Sequence, residues 1–572
     1  MFKGVSINNA FYKLIFLLAL GCYILIIIKS LEKPLVADEL ANRSAAESVV
    51  LIGAPKSFGL DRLLLGHPPL YLYTVAVFFR IFGIGDIQAR LVGLAFFVLN
   101  LILVFMLGKS LYPKNRLAAP LALLFFGLSP LVIQGFSIID IDQTLLAFTL
   151  TLFFYCFIRF EHSAIQKRII FLSLSFFLVM CSKFSPIPML IASMMLYWGL
   201  KRNFLRGVVE VAAIVLLGAG LFLLSWRLFC YYFHYNDYFL EPFIYTYRSF
   251  FRLQAEGGLL EKLVSAGISL LRISSWMSPF LLLLAFYVLG KQVKELVKER
   301  SVQRDFFLSI FVFGSFIGYL FVGGLSYGFP KSQFPVMPAL AVLIGGNLSL
   351  DSLNKSTLTK LAVILCIVLL GYLLLVGDTI YLINYSLKEA LIYNFRLGFA
   401  NFIFPLLLYI VSPLLLLGII HILFRSWVFT HKFLFALIIT TLASNLSLDI
   451  LQANADYLTT AGYGGRGKIA MLNFLKGILR KDDIVFSAPE IIYDLRSSKS
   501  VFPYLETWSM PESFLAFIRE EKPRAIIYGI PLNTIGEFKR TLLRPGVLEL
   551  LKRDYKREDF GSYTVWVRET KK

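Results

Sequence analysis

Asp38 and Glu39 stand side by side just after the first apolar stretch of the chain, and Gly66-His67-Pro68-Pro69-Leu70 follows further along. A charged side chain at a membrane boundary is costly and usually functional or paired. A carboxylate placed there can act as a general base, taking the proton from a hydroxyl as its oxygen attacks an electrophilic carbon. For an arbitrary loop acid, a helix cap or a solvated charge is the simpler explanation. Pro68-Pro69 fixes an extended backbone that leads into a first helical turn. His67 is then held at the interface, able to hydrogen-bond or to neutralise a phosphate.

Two further acids, in Asp140-Ile141-Asp142, lie just ahead of an apolar span. Asp142 suits the N-terminus of that span, where a carboxylate caps backbone N–H groups and meets a favourable dipole. The Asp-x-Asp spacing also suits a divalent cation, but no third ligand is identifiable and no metal cofactor is expected. Arg90, Lys183 and Lys331 sit at the ends of other spans. Any one of them is explained by snorkelling. Three on the side of the acids suggest an anion site, most simply for a phosphate.

The elements that position these residues follow from composition. The chain has 572 residues, of which 58% are hydrophobic and 16% charged. Apolar runs close to the span length of about twenty residues recur to about residue 450, which predicts a polytopic α-helical membrane protein. Lys3 and Lys13 place the start of the first span, about residues 11–28, in the cytoplasm. No small-x-small site follows it, so an uncleaved anchor is expected. Residues 68–83 are apolar but only about fifteen long, short of the length a span needs. Placing them in the outer interface leaves every following inward loop basic, as the positive-inside rule requires. The remaining spans are then about 89–108, 117–136, 143–160, 168–183, 186–200, 207–230, 264–290, 306–325, 333–350, 361–381, 399–424 and 433–452, about thirteen with the first.

That topology puts Asp38, Glu39, His67, Arg90, Asp140, Asp142, Lys183 and Lys331 on the outer face. It predicts a membrane domain over residues 1–452, with residues 30–88 as a first outer loop carrying interfacial helices. Residues 453–572 are more polar and predict an extracytoplasmic α/β domain. Its expected strands are 483–487, 525–528 and 563–567, and its expected helices 468–480, 511–520, 534–543 and 546–553.

Other signals weigh less. The net charge of +20 is spent largely in short loops between spans, so nucleic-acid binding is not expected. The five cysteines lie in or at the ends of apolar spans and form no CxxC pair, as buried small hydrophobes do. Gly462-Tyr463-Gly464-Gly465-Arg466-Gly467-Lys468 is a partial phosphate-loop pattern, but Ile469 stands where Ser or Thr would meet magnesium. It is read as a flexible linker.

The motifs in order resemble those of the GT-C glycosyltransferases, specifically the protein O-mannosyltransferases and the aminoarabinose transferases that modify lipid A. The shared string is Asp38-Glu39, His67-Pro68-Pro69-Leu70, Phe82-Gly83, Ala89-Arg90-Leu91, Leu128-Ser129-Pro130, Asp140 or Asp142, and Ser182-Lys183-Phe184. Lys331 ahead of Pro335 and Pro338 completes it. The resemblance covers about residues 10–340. It implies a polyprenyl-phosphate-sugar donor and inverting transfer to a hydroxyl acceptor on the outer face of the plasma membrane. Asp38 would be the base. Arg90, Lys183 and His67 would hold the lipid phosphate, and Glu39 with Asp140 or Asp142 would orient acceptor and sugar. Around the acidic pair the sequence reads Ala37-Asp38-Glu39-Leu40-Ala41, without the aromatic that often follows it in the resembled transferases. The outer-face insertions of the protein O-mannosyltransferases have no counterpart either, which leaves the acceptor open as protein, lipid or glycan.

Two other classes compete. A flippase or transporter of a lipid-linked saccharide would need polar residues at mid-membrane and alternating access, whereas this chain concentrates charge at span ends. A non-catalytic assembly subunit would have no use for the charged constellation.

Overall fold

The computed structural model describes residues 9–31, 38–56, 63–201, 204–252, 279–299, 302–322, 331–347, 467–480, 482–487, 489–495, 499–501, 511–528, 544–561 and 563–568, with isolated positions between. The expected span 361–381, nearly all of 399–424, most of 433–452, much of 264–290 and the expected helix 534–543 lie outside the described residues.

The chain divides into two compact units. The first comprises Met1–Leu31, Leu64–Ser326 and Pro330–Asn454, and its described elements are helices. They are α1 (Asn9–Ser30), α3 (Leu70–Phe82), α4 (Asp86–Leu111), α5 (Ala118–Gly127), α6 (Pro130–Phe136), α7 (Ala147–Phe160), α8 (Ile165–Ser182), α9 (Ile187–Lys201), α10 (Phe204–Tyr232), α11 (Glu241–Arg252), α12 (Pro279–Glu299), α13 (Phe306–Val322) and α14 (Met337–Asn347). Among the described residues, four helices are long and apolar enough to cross a membrane, or five if the bent pair α5 and α6 counts as one span. Helix α3 has 13 residues, about 20 Å at 1.5 Å per residue, against a hydrocarbon core of about 30 Å. It ends at Gly83, whose φ of +91° suits glycine.

The segment expected as a single span at 117–136 is instead bent by 60° between α5 and α6. The cause is Leu128-Ser129-Pro130. Ser129 is extended with ψ 129°, as a residue before proline prefers, and Pro130 opens α6. Small residues then let the helices close up. A Cβ on Gly93 of α4 would sit 1.8 Å from the Phe136 carbonyl oxygen, and one on Gly345 of α14 would meet the α5 backbone at 2.6 Å. Backbone approach of this kind is how apolar helices gain contact where water provides no driving force.

The second unit comprises Glu32–Leu63, Tyr327–Phe329 and Ala455–Lys572. Its sheet contains β1 (Ile484–Phe486), β2 (Lys499–Val501), β3 (Ala525–Tyr528), β4 (Tyr555–Phe560) and β5 (Tyr563–Arg568) in the order β2-β1-β3-β5-β4. Pairing is parallel from β2 through β1 to β3 and antiparallel from β3 through β5 to β4. Its helices are α2 (Asp38–Ile52), α15 (Lys468–Ile478), α16 (Pro489–Leu495), α17 (Pro511–Glu521) and α18 (Pro545–Asp554). Alternate strand residues feed two cores, as a pleat requires. Val485, Ala525, Ile527 and Val565 pack with Met471, Leu475 and Ile492. Phe486, Ile526 and Trp566 pack with Phe514, Ile518 and Leu551.

Helix α2 is tied into this unit by buried charge. Arg43 is 1% exposed, pairs with Glu47 one turn on, and lies 5.0 Å from the centre of the Tyr493 ring. The Tyr493 hydroxyl donates to Glu47 at 3.3 Å. Lys468 Nζ donates to the Leu35 carbonyl at 2.8 Å and pairs with Asp494 at 2.9 Å. The end of the glycine-rich stretch is therefore not a flexible linker. Gly467 takes φ +85°, and a Cβ there would lie 2.3 Å from the Phe560 carbonyl oxygen. Gly467→Ala should destabilise this unit by about 1–3 kcal/mol, since strain adds to the clash. Hydrogen exchange on α15 and β4 in the full-length protein measures it; unchanged protection would contradict the packed reading.

Candidate active site

The acid–base residues of the first unit meet where α6 gives way to α7. After α6 the chain makes a short irregular segment and a five-residue π turn, Asp142–Leu146, closed by Leu146 N–H donating to the Ile141 carbonyl at 3.0 Å. Asp140 holds the approach to this turn. Its Oδ1 accepts the Ile141 N–H at 2.6 Å, and its carbonyl accepts the Thr144 hydroxyl at 2.6 Å. Asp142 makes no side-chain cap of the turn it opens. Its carboxylate is instead taken by Lys183, whose Nζ lies 2.7 and 2.8 Å from the two oxygens.

Lys183 reaches this position because α8 stops at Ser182. Lys183 is extended (φ −159°, ψ 147°), and Pro186 blocks continuation of the helix. Lys331, first residue of the 3-10 turn Lys331–Val336, places Nζ 3.5 Å from Asp140 Oδ2. Lys331 and His67 both act electrostatically on Asp142. The His67 ring meets the Tyr245 ring of α11 edge-on at 5.0 Å. One site thus gathers His67, Asp140, Asp142, Lys183 and Lys331, from four parts of the chain.

The arrangement is more than a cluster of cations. Each lysine has its own carboxylate, and both carboxylates are buried, Asp140 and Asp142 each at 3% exposure. A buried pair keeps its lysine charged and fixed, which preorganises the site. An ammonium group has three N–H donors, so Lys183 can hold both Asp142 oxygens and still donate to an anion. Asp140 and Asp142 therefore position cations here. Among the described residues, no group of three His, Cys, Asp or Glu could hold a metal ion.

Arg90 sits in the first turn of α4, 3% exposed, and its Nη1 donates to the Leu31 carbonyl at 2.8 Å beyond the end of α1. Asp38 and Glu39 belong to the second unit, where they open α2. Glu39 is 2% exposed, which a solvated loop acid would not be.

Sequence reasoning passed over the buried charges among the basic loops. Glu161, 1% exposed, accepts from Lys201 Nζ at 2.5 Å, the Tyr197 hydroxyl at 2.6 Å and Arg304 Nε at 2.7 Å. Burial pushes its carboxyl up, but the Lys201 and Tyr197 bonds outweigh this and hold it below the usual range. Arg168 pairs with Glu210 at 2.8 Å and donates to the Glu161 carbonyl at 2.9 Å. These loops are not merely solvated basic surface; Lys201, Arg304, Arg168 and Arg206 pair with two buried acids, Glu161 and Glu210. The available signal was the acid itself, lying inside an otherwise basic loop.

Residues 66–226 match the family model described as dolichyl-phosphate-mannose-protein mannosyltransferase. That stretch carries His67, Arg90, Asp140, Asp142 and Lys183. No curated protein sequence matches the chain. Two solved structures share its fold over nearly its whole length. A crystal structure of ArnT from Cupriavidus metallidurans bound to undecaprenyl phosphate is 14% identical, with a TM-score of 0.60 over 99% of both chains. The same protein in the apo state is 15% identical, with a TM-score of 0.53 over 96% of this chain and 97% of that one. Together these findings show a fold shared with ArnT over nearly the whole chain and a match to the mannosyltransferase family model over residues 66–226.

Proposed function

We propose that this protein is an inverting glycosyltransferase that moves a sugar from a polyprenyl-phosphate donor to a hydroxyl acceptor on the extracytoplasmic face of the plasma membrane. The observation that carries this reading is the buried pair Asp142–Lys183 beside Asp140–Lys331 and His67. It holds two ammonium groups in fixed positions at a span end, where a lipid-linked phosphate can meet them. The similarly folded ArnT structure holds undecaprenyl phosphate, which supports the same donor class here.

In the proposed reaction, Asp38 takes the proton of the acceptor hydroxyl as its oxygen attacks the sugar C1. The C1–O bond to the phosphate breaks with inversion, and the pair of electrons leaves with the polyprenyl phosphate. Lys183, Arg90 and His67 stabilise that developing charge. Glu39 orients the acceptor.

The test is purified protein in lipid with a panel of polyprenyl-phosphate sugars. Transfer, or slow hydrolysis where no acceptor is present, supports the reading. Movement of an intact lipid-linked saccharide across the bilayer without glycosidic cleavage would favour the flippase alternative. Orientation is tested separately by Ser500→Cys in a background lacking the five native cysteines. Labelling from outside is expected; labelling from the cytoplasm alone would overturn the proposed side.

A further inference from the structure

Three glutamines line up behind the ion pairs. Gln134 lies on α6, Gln143 follows Asp142 in the π turn, and Gln333 lies two residues past Lys331 in the 3-10 turn. These three elements pack on one another. The Gln143 side chain also lies against Gly135, whose added Cβ would meet Gln143 Cγ at 3.1 Å. All three glutamines are at most 1% exposed. Among the described residues, the oxygen and the nitrogen of the Gln143 and Gln333 amides have no hydrogen-bond partner. Asp449, 1% exposed, adds its carboxyl to the group, and Gln134 lies within hydrogen-bonding reach of it.

Buried amides are nearly always bonded, and an orphaned one points to a missing water, ion or ligand group. Two whole amides without partners, Gln143 and Gln333, beside a Gln134 whose neighbour is the buried Asp449 carboxyl, on the elements that hold the charged site, is an arrangement packing alone does not favour. Every one of these glutamines could have been an apolar residue of similar volume at no cost in hydrogen bonds.

We infer that Gln134, Gln143 and Gln333, with the Asp449 carboxyl, form a binding site for the sugar of the donor, recognising its hydroxyl groups. The chemistry fits a neutral polyol. A sugar hydroxyl both donates and accepts, and an amide offers one partner of each kind. The charged groups next door suit a phosphate, so lipid phosphate and sugar are divided between adjoining sets of residues. This inference rests on the proposed transferase function and adds to it the residues that select the sugar.

The experiment compares two ligands on detergent-purified full-length protein: bare polyprenyl phosphate and the same lipid phosphate carrying a sugar. Gln134→Met, Gln143→Met and Gln333→Met keep the side-chain volume and remove the amide. Each should weaken the sugar-bearing lipid by about tenfold, the loss of one or two neutral hydrogen bonds, and leave bare polyprenyl phosphate unchanged. Thermal unfolding should hold or rise, because an orphaned amide has been removed. An unchanged preference for the sugar-bearing lipid in all three variants would overturn the inference and mark the site as one for water. A large fall in unfolding temperature would overturn it too, since the amides would then be structural. If the unaltered protein binds neither lipid, the transferase reading fails first. If it binds both equally, only the sugar site fails.

Discussion

Asp38→Asn should slow sugar transfer by about 10²–10⁴-fold, or about 3–5 kcal/mol in the barrier, while leaving donor affinity intact. Asparagine keeps the shape and some hydrogen bonding of aspartate but cannot accept the acceptor's proton. The phosphate contacts proposed for the donor are made by Lys183, Arg90 and His67, so binding and chemistry should separate. Glu39→Gln should cost less if Glu39 only orients the acceptor. Measuring transfer rate and donor affinity for both variants, with folding checked, distinguishes the roles. A nearly normal rate for Asp38→Asn with an inactive Glu39→Gln would exchange them. Full activity in both would remove this helix start from the reaction and with it the main support for the mechanism.

Asp142→Ala should destabilise the first unit by about 3–5 kcal/mol, because Lys183 is left charged and unpaired in a nearly closed site. Lys183→Met strands the Asp142 carboxylate and should cost as much. The pair removed together, Asp142→Ala with Lys183→Met, should fall well short of the sum, since no buried charge is left alone. Thermal unfolding of the four proteins closes this cycle. Donor binding gives a second reading: the double variant should be stable yet bind donor weakly, because the phosphate has lost a charge-assisted partner worth about 1.5–3 kcal/mol. A double variant that binds donor normally would remove Lys183 from the phosphate site. Additive destabilisation would mean the two side chains do not depend on each other.

The membrane class and the order of the charged residues were legible because both are written in local sequence. Apolar run length gives the spans, and short motifs such as Ser182-Lys183-Phe184 stand at their ends. Pairing was not legible. Lys183 finds Asp142 across 41 residues, and Lys331 finds Asp140 across 191, so each lysine looked like a free cation. Asp142 looked like a helix cap because the π turn it opens has no distinct apolar period. The bend at Ser129-Pro130 was hidden inside one continuous apolar run. In the second unit, β1, β3 and β5 stood out as apolar runs. Strand β4 reads Tyr-Lys-Arg-Glu-Asp-Phe, and its charges mask it because it is an edge strand with mostly exposed side chains. Arg43 and Lys468 did not stand out, since nothing in a sequence distinguishes a buried, paired cation from a solvated one.

The bond from Lys468 to the Leu35 carbonyl spans 433 residues, and that distance is also a delay. At about 5–20 residues per second, the ribosome takes roughly 20–90 seconds after making the α2 segment before it makes Lys468. Throughout that interval α2 has none of Tyr493, Asp494 or Lys468 to pack against. Within α2 itself, Arg43 can already pair with Glu47, its neighbour one helical turn on. This pair gives the helix a local partner for its arginine while the rest of the chain is synthesised. Assembly of this unit therefore waits for residues made long after α2. A truncation between Asn454 and Lys468 would leave α2 without these partners, a natural mark for quality control to read.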